Sequence, residues 1–213
     1  MKLSFDIETE ALPKEAIEHL KPAFKAPANY KDEAKIADNI AQQEQEWYAN
    51  AALSPLSGRI LAIGVKEFNE EPEYLQGDEG SVLEDFWTRF GSASEYDLWH
   101  GHNIHSFDVP YIVKRSWANA IKVPFRSVLA DNGFVNSRRF VDTMRLFQCG
   151  DKQSAFISLD RLATFLGIPG KLEDIGPKWG QIYRENPTRA LAYLRRDLEI
   201  VEAAVKRMTG GAE

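Results

Sequence analysis

The sequence predicts an α/β fold, and three observations support this prediction. Residues 2–8 alternate apolar and polar side chains, the period-two pattern of a strand. Residues 82–90 repeat apolar side chains at helical spacing. A second helical pattern runs from Asn186-Pro187, a strong helix start, to about Met208 before Gly210-Gly211. Strand and helix patterns interleave along the 213 residues, which is typical of a sheet flanked by helices.

The first half of the chain supplies most of the predicted strands. Leu3, Phe5 and Ile7 form the apolar side of the first strand, so the pattern predicts one buried face. Turn residues that end at Gly58 precede the next strand. The predicted elements that follow are strands over 59–68, 73–76 and 97–101, with the helix over 82–90 between the last two.

Residues 13–57 separate the first two strands as a polar, alanine-rich stretch with four prolines. Its second half, about Asp32 to Leu53, predicts a helix with Ile36, Ile40 and Trp47 on one side. We therefore predict a single domain over residues 1–213 that carries a helical insertion over 13–57, after the first strand.

The second half of the chain is richer in helix signals. Ser158 is a good N-cap for a helix that Gly167 closes. The last helix has an apolar stripe for packing against the sheet. The predicted elements are a helix over 107–117, a strand over 139–143, a helix over 158–166 and the last helix to 208.

Composition limits the class of protein. Hydrophobic residues make up 44% and charged residues 27%, as in soluble globular chains. The longest apolar run, residues 60–65, is too short to cross a membrane, and no basic leader precedes an apolar stretch near the N-terminus. Cys149 is the one cysteine, which argues against a disulfide framework and fits a reducing, cytoplasmic setting.

Charge is distributed unevenly along the chain. The net charge of −6 argues against a purely electrostatic nucleic-acid binder. Residues 1–100 carry a net charge of −11, whereas residues 101–213 carry +5. Residues 111–145 are the most basic part, with seven lysines and arginines against Asp131 and Asp142. This basic strip is either a solvated surface or a set of phosphate contacts.

Paired carboxylates are the first candidate for chemistry. Asp6 and Glu8 lie two residues apart on the first strand, so both side chains point to the same face. Neighbouring carboxylates repel, and one holds its proton unless a cation lies between them. Such pairs also occur by chance on exposed strands. The position near the carboxyl end of the strand favours a site.

Two further groups of residues could join this pair. Tyr193 and Asp197 lie one turn apart on the last helix, where a tyrosine can orient a water molecule beside an aspartate. A surface tyrosine and an ordinary acid are the alternative. Asp108 follows the segment from Asn103 to Phe107 and opens a helix, where a first-turn acid is the common role.

Other motifs in the sequence are weaker. His100, His102 and His105 near Asp108 suggest zinc, but their spacing matches no familiar ligand set, so we expect the first two to flank the strand end. The segment from Gly167 to Lys171 lacks the full pattern of a phosphate-binding loop, and a turn that ends a helix is the better interpretation.

Together these motifs resemble those of the DEDD-type 3′–5′ exonucleases of the DnaQ-like, RNase H-like group. Phe5-Asp6-Ile7-Glu8-Thr9 resembles the first motif, and Asn103 with Phe107-Asp108 resembles the second. Tyr193 with Asp197 resembles the third in its tyrosine version, called DEDDy. Residues 101–116 and 158–171 are also similar to the exonuclease domain of family-B DNA polymerases, and stand-alone phage or bacterial relatives of that domain are most similar.

The resemblance implies an RNase H-like fold with a mixed five-stranded sheet and a two-metal-ion site. Oxygen ligands favour two Mg²⁺ or Mn²⁺ ions over zinc. Asp6 would bridge both ions, Glu8 and Asp197 would complete one site, and Asp108 would serve the other through water. Tyr193 would orient the attacking water. The implied substrate contacts are made by Thr9, Leu12, Asn103 and Phe107.

The implied substrate is the 3′ end of DNA, mainly single-stranded, with nucleoside 5′-monophosphates as products. Two alternatives stay open: an exoribonuclease that trims RNA, and a non-catalytic nucleic-acid-binding adaptor with the same fold. Residues 13–57 are expected either to cap the DNA channel or to bind a replication or repair protein. No membrane partner is expected.

Overall fold

The computed structural model describes residues 1–151, 156–171 and 175–210. The chain divides into two compact units. The main unit consists of Met1–Glu8 and the chain from Ile60 onwards, and the second unit is Thr9–Arg59. The second unit thus includes the polar stretch over 13–57. The interpretation of that stretch as an insertion into a single domain stays a prediction.

A five-stranded sheet forms the centre of the fold in the described part of the chain, with the order β3-β2-β1-β4-β5. Strand β1 is parallel to β4, and β4 is parallel to β5, whereas β2 and β3 are antiparallel. The predicted mixed α/β sheet is therefore confirmed. The strands are β1 (Lys2–Ala11), β2 (Gly58–Glu67), β3 (Glu73–Gln76), β4 (Leu98–Gly101) and β5 (Phe140–Asp142).

Helices precede, separate and follow the strands. In chain order they are α1 (Lys14–Ile17), α2 (Glu33–Ala49), α3 (Glu79–Ser92), α4 (Asp108–Ala118), α5 (Phe125–Val128), α6 (Thr143–Gln148), α7 (Leu159–Leu166), α8 (Trp179–Glu185) and α9 (Pro187–Met208). Short 3₁₀ turns occupy Glu18–Leu20, Ala51–Leu53 and Gly176–Lys178. Among the described residues, no helix combines the length and the apolarity needed to cross a membrane.

Local capping explains where the predicted helices begin and end. The Ser158 side chain accepts a hydrogen bond from the Arg161 amide, and Asn186 does the same for Arg189 at the start of α9. Gly167 ends α7 in the left-handed conformation, with φ of 68°. The turn interpretation of that segment is therefore confirmed.

Both faces of the sheet are covered, so the predicted single buried face of β1 is wrong. Leu3, Phe5 and Ile7 pack in a core with α3 and α4. The opposite side chains are also buried, since Ser4 is 0% and Glu8 6% exposed. Strict alternation predicted water on the second face, but helices cover it instead.

Helix α9 lies against this second face. Ala62 of β2 packs with Tyr193 and Leu194 of the helix. Gly64 permits the close approach, because a Cβ atom there would lie 2.9 Å from side-chain carbons of both Leu194 and Leu198. The glycine thus allows α9 to present Tyr193 and Asp197 on the side of the sheet that carries Asp6 and Glu8.

The second unit is helical and polar. Asp32 caps α2 by accepting from the amides of Ala34 and Lys35. The helix buries none of its side chains fully, and the predicted stripe of Ile36, Ile40 and Trp47 is half-buried. Polar contacts join the segment before α2 to the helix, such as the hydrogen bond that Lys21 Nζ donates to Glu44 Oε1 at 2.8 Å.

Candidate active site

Four carboxylates from three distant segments interact within the main unit. Asp6 and Glu8 lie on β1, Asp108 opens α4, and Asp197 lies on α9. Asp6 is half-buried, whereas Glu8, Asp108 and Asp197 are 6%, 2% and 4% exposed. Asp6 interacts electrostatically with Asp197, and Glu8 interacts with the other three acids. The structure therefore brings together the acids that the sequence motifs singled out.

Backbone geometry holds Asp108 against the first strand. Its Oδ1 atom accepts a hydrogen bond from the Ile7 amide at 3.2 Å, which ties the start of α4 to β1 between Asp6 and Glu8. The charge of the Asp6 carboxylate also raises the pKa of Asp108. The two acids are thus close enough to compete for the same cation or proton.

The surroundings of these four acids disfavour their ionised forms. Burial, followed by the charge of Asp197, raises the pKa of Asp6 from 3.8 to about 7. Burial and the neighbouring Asp6 carboxylate raise the pKa of Glu8 and of Asp108 well above their ordinary values. Raised pKa values of this origin are a feature of sites that receive a cation or transfer a proton.

The donor atoms present suit a hard divalent cation. Glu8 Oε1 and Asp197 Oδ1 are buried, and no hydrogen-bond partner for either lies among the described residues. Such unpartnered carboxylate oxygens are costly unless a ligand compensates them. In the described residues, however, no three His, Cys, Asp or Glu side chains already have the arrangement of a metal site. The chemistry of the donors therefore fits Mg²⁺ or Mn²⁺, and coordination would require side-chain adjustment.

Lys171 is the residue that sequence motifs missed. Its Nζ atom donates to Asp197 Oδ2 at 2.6 Å and to the Tyr193 hydroxyl oxygen at 2.8 Å. The ammonium also lies 4.8 Å from the centroid of the Tyr193 ring. Lys171 stands 26 residues before Asp197 in a segment that resembles an ordinary turn, so spacing alone gave no signal.

Lys171 and Tyr193 keep their ordinary protonation states at neutral pH. Burial alone would lower the pKa of Lys171, but the Asp197 carboxylate outweighs burial and raises it. Burial and the same carboxylate raise the pKa of Tyr193. The pKa of Asp197 remains raised by burial, although Lys171 and a hydrogen bond from Tyr193 oppose the shift. The Lys171 ammonium and the neutral Tyr193 phenol therefore lie beside the buried Asp197 carboxyl group, whose pKa is raised.

The loop before α4 carries the predicted substrate residues Asn103 and Phe107. Asn103 adopts the left-handed conformation with φ of 62°, and its amide donates to Asp142 Oδ1 at 2.9 Å. Asp142 also accepts from the amides of His105 and Met144. The half-buried Phe107 ring lies 5.3 Å from that of Tyr111. Asp142 thus caps α6 and also organises this loop, a long-range role that local sequence patterns do not indicate.

Thr9 and Leu12 follow Glu8 in the chain and belong to the second unit. Both are half-buried. The Leu12 amide donates to the Ser57 carbonyl oxygen at 2.9 Å. Their contacts with the 3′ end of a substrate stay predictions.

The three histidines near Asp108 bond to the protein scaffold. His100 Nδ1 lies 2.9 Å from the Leu3 carbonyl oxygen, and His105 Nε2 lies 2.8 Å from that of Phe140. His102 contacts the Thr143 hydroxyl and the Ile157 carbonyl oxygen at 2.9 and 2.8 Å. Burial lowers the pKa of all three side chains. These contacts give each imidazole a structural role.

Two members of the basic strip are unavailable to a ligand. Arg115 is buried and donates to both carboxylate oxygens of Glu79 at 2.8 and 2.6 Å. Arg139 is buried, with its guanidinium carbon 4.4 Å from the centroid of the Phe90 ring. Charge counting alone does not separate such packed arginines from surface ones. The exposed members of the strip are Lys114, Lys122, Arg126, Arg138 and Arg145.

Comparison with solved structures finds a similar fold in the family B DNA polymerase from the hyperthermophilic archaeon Pyrobaculum calidifontis. The superposition has a TM-score of 0.57 at 20% sequence identity. It covers 96% of this chain and 24% of the polymerase. No family model and no curated protein matches the sequence. The comparison supports the α/β, RNase H-like fold class, and at this identity it shows the fold alone.

Proposed function

We propose that this protein is a divalent-metal-dependent 3′–5′ exonuclease that hydrolyses DNA, preferentially single strands, and releases nucleoside 5′-monophosphates. The observation that carries the proposal is the grouping of Asp6, Glu8, Asp108 and Asp197, in which neighbouring carboxylates add to burial in raising the pKa values of Asp6, Glu8 and Asp108. Stability alone gives no reason to group four acids, three of them buried, so closely. The fold likeness to a DNA polymerase is consistent with a nucleic-acid substrate.

Two Mg²⁺ or Mn²⁺ ions are the proposed cofactors. Asp6 would contribute to both, Glu8 and Asp197 would complete one site, and Asp108 would serve the other. When bound, such ions would lower the pKa of an attacking water and would stabilise the leaving 3′ oxygen. The buried oxygens Glu8 Oε1 and Asp197 Oδ1, for which the described part of the chain offers no hydrogen-bond partner, support this assignment.

Tyr193 and Lys171 supply the remaining groups of the proposed mechanism. The raised pKa of Tyr193 keeps its hydroxyl neutral, so it would orient the attacking water rather than deprotonate it. The Lys171 ammonium fixes the tyrosine oxygen and places positive charge beside Asp197. The water oxygen would bond to phosphorus as the P–O3′ bond breaks, while the water releases a proton to solvent and the leaving 3′ oxygen takes one up from solvent. The released nucleotide then carries a 5′-phosphate, and the shortened strand keeps a 3′-hydroxyl.

Substrate binding is assigned to two kinds of contact. The five exposed members of the basic strip would hold the phosphate backbone, and single-strand binding of this kind has little sequence preference. Phe107 and Asn103 would contact the terminal nucleotides, with Thr9 and Leu12 at the 3′ end. The second unit would contact DNA or a replication or repair protein.

The test is digestion of a 5′-labelled single-stranded DNA oligonucleotide with Mg²⁺ or Mn²⁺. We expect a ladder that shortens from the 3′ end, and chelator abolishes it. Asp108→Ala and Asp197→Ala should be inactive, while Asp131→Ala, a change at an exposed acid, should digest like the parent. Equal digestion by all three variants would exclude the assignment.

Matched substrates in the same assay separate the alternatives. Faster digestion of an RNA oligonucleotide of the same sequence would make the protein an exoribonuclease. Binding of either strand without digestion under every metal condition would favour an adaptor. Faster digestion of a blunt duplex than of a single strand would contradict the proposed strand preference.

A further inference from the structure

Lys171 reaches the carboxylate site from an exposed segment after α7, and specific contacts hold it there. The described part of this segment, which we call the loop, is residues 167–171. Gly167 and Pro169 are exposed, whereas the Lys171 side chain is turned inward and is 23% exposed. A flexible four-carbon stem needs a fixed starting point to place its ammonium reproducibly on two partners. The inference that follows rests on the proposed function for its catalytic part.

The first anchor of the loop comes from α7. Asp160 Oδ1 accepts a hydrogen bond from the backbone amide of Lys171 at 3.0 Å. The loop passes so close to this carboxylate that a Cβ atom on Gly170 would lie 2.4 Å from Asp160 Oδ1. A larger residue at position 170 would therefore push the Asp160 side chain away from the Lys171 amide.

The second anchor comes from α9. Arg196 Nε donates to the Gly170 carbonyl oxygen at 3.0 Å, and another guanidinium nitrogen donates to the Pro169 carbonyl oxygen. A planar guanidinium can make two such bonds at fixed geometry, which lysine cannot. Arg196 also lies 3.3 Å from Glu199 Oε2, which orients the guanidinium along the helix.

The same stretch of α9 holds both the loop and the partners of Lys171. Arg196 is the neighbour of Asp197 and follows Tyr193 by three residues, so the anchor and the two acceptors move as one helical segment. Lys171 Nζ then lies 2.6 Å from Asp197 Oδ2 and 2.8 Å from the Tyr193 hydroxyl oxygen. We propose that Asp160, Gly170 and Arg196, the loop clamp, are positioning residues that place Lys171 in the active site.

Chemical labelling tests the clamp without reference to nuclease activity. Each protein is treated briefly with acetic anhydride, and acetylation of Lys171 is measured by mass spectrometry relative to exposed Lys114. Asp160→Ala and Arg196→Met should increase relative labelling several-fold. Asp160→Asn, which keeps an oxygen acceptor, should label like the parent.

Arg195→Met is the matched control for Arg196→Met. Both changes remove one positive charge from adjacent positions of α9. Arg195, however, donates hydrogen bonds to Glu71 and Glu199, and its hydrogen bonds among the described residues do not include the loop. Arg195→Met should leave Lys171 labelling unchanged. Equal labelling in the two arginine variants would overturn the role of Arg196.

Gly170→Ala supplies a test by coupling. Alone, it should increase Lys171 labelling as Asp160→Ala does, because its Cβ atom displaces the Asp160 carboxylate. The double variant Gly170→Ala/Asp160→Ala should label no more than Asp160→Ala alone, since the collision and the hydrogen bond are lost together. Additive effects of the two changes would contradict the proposed contact.

Kinetics of digestion test the catalytic consequence. Asp160→Ala and Arg196→Met should lower kcat by about tenfold with KM nearly unchanged, because a misplaced group affects the transition state more than binding. Asp160→Asn should restore kcat. If labelling increases but kcat does not fall, Lys171 has no positioned role in catalysis. If no protein in the series digests DNA but labelling changes as expected, the clamp stands and the nuclease assignment falls.

Discussion

Asp197 and Glu202 are buried acids five residues apart on α9, and their surroundings shift their pKa values in opposite directions. Glu202 accepts hydrogen bonds from Lys66, from Lys206 and from the Asn69 amide. Burial alone would raise the pKa of Glu202, but these donors outweigh burial and lower it. Asp197 has Lys171 and Tyr193 as partners, yet its pKa stays raised, and Asp6 and Glu8 lie nearby as further acids.

Under the proposed function, the difference separates an acid that stabilises the fold from acids that would bind a cation. A structural carboxylate is buried together with donors and cations that satisfy it. The Asp197 group instead retains oxygens without a partner among the described residues, Glu8 Oε1 and Asp197 Oδ1. The protein therefore carries an electrostatic cost at one end of this sheet face that it avoids at the other.

The largest expected effect is the loss of activity on Asp6→Asn. The variant keeps the size of the side chain but removes one charge from the centre of the acid group, so digestion should fall by at least about a thousandfold. Glu202→Gln, the matched change in the other acid group, should digest DNA at the parental rate per folded molecule. Equal losses in both variants would break the comparison. Digestion rates normalised to the folded fraction by circular dichroism provide the check.

Stability should show the reverse order. Glu202→Gln leaves Lys66, whose side chain is 7% exposed, without its counter-charge. Removal of one partner of a buried pair typically costs about 3–5 kcal/mol in the free energy of unfolding. Asp6→Asn should raise that free energy in chelator at neutral pH, because it removes repulsion. Urea unfolding monitored by fluorescence measures both, and a stabilised Glu202→Gln variant would contradict the account.

The pH dependence of stability in chelator should have opposite slopes from the two groups. Because the pKa of Asp6 is raised from 3.8 to about 7, its contribution is full below the lower value and is lost as pH rises through the higher one. Since Asp6 is half-buried, we expect a loss of about 2 kcal/mol between roughly pH 5 and pH 8.

The lowered pKa of Glu202 has the opposite sign. Its contribution is present above the ordinary value of 4.5 and is lost as pH falls through the lowered pKa. Asp6→Asn should flatten the neutral side of the profile, and Glu202→Gln should flatten the acid side. Thermal unfolding across pH in chelator measures both slopes, and a profile of Asp6→Asn that matches the parent would disprove the first.

The smallest effect concerns Tyr193→Phe. The change removes the hydroxyl that Lys171 and Asp197 share but leaves all four acids in place. We expect kcat to fall by about tenfold to a hundredfold and Mn²⁺ affinity to stay near that of the parent. Parallel digestion and metal titration check this, and a loss of metal affinity as large as that of Asp6→Asn would make Tyr193 part of the cation site instead.

Periodicity and capping in the sequence were sufficient for the main elements of the fold. The alternation of residues 2–8, the caps Ser158 and Asn186 and the stripe of α9 each depend on neighbours within one turn or one strand. Short helices were not predicted, because a helix of one or two turns gives too short a pattern for periodicity to be recognised. Helix α6 begins at Thr143, directly where the predicted strand over 139–143 ended, and its cap, Asp142, also bonds the loop before α4.

The site was only partly predictable, because some of its residues are related by local spacing in the sequence and others only by tertiary contacts. Asp6 and Glu8 share a strand, and Tyr193 and Asp197 share a helix, so local spacing relates each pair. Lys171 joins them through a loop whose path depends on Asp160 and Arg196, and no local rule connects those residues. The second buried face of β1 was missed likewise, since only the packing of α9 covers it.

Calorimetric titration of Mn²⁺ into the metal-free protein tests the central claim most directly. We predict that the parent binds about two ions per chain, that Asp6→Asn loses at least about tenfold in affinity, and that Glu202→Gln binds like the parent. Absence of binding by the parent at millimolar Mn²⁺, or unchanged binding by Asp6→Asn, would contradict the claim that these four acids are kept for divalent cations.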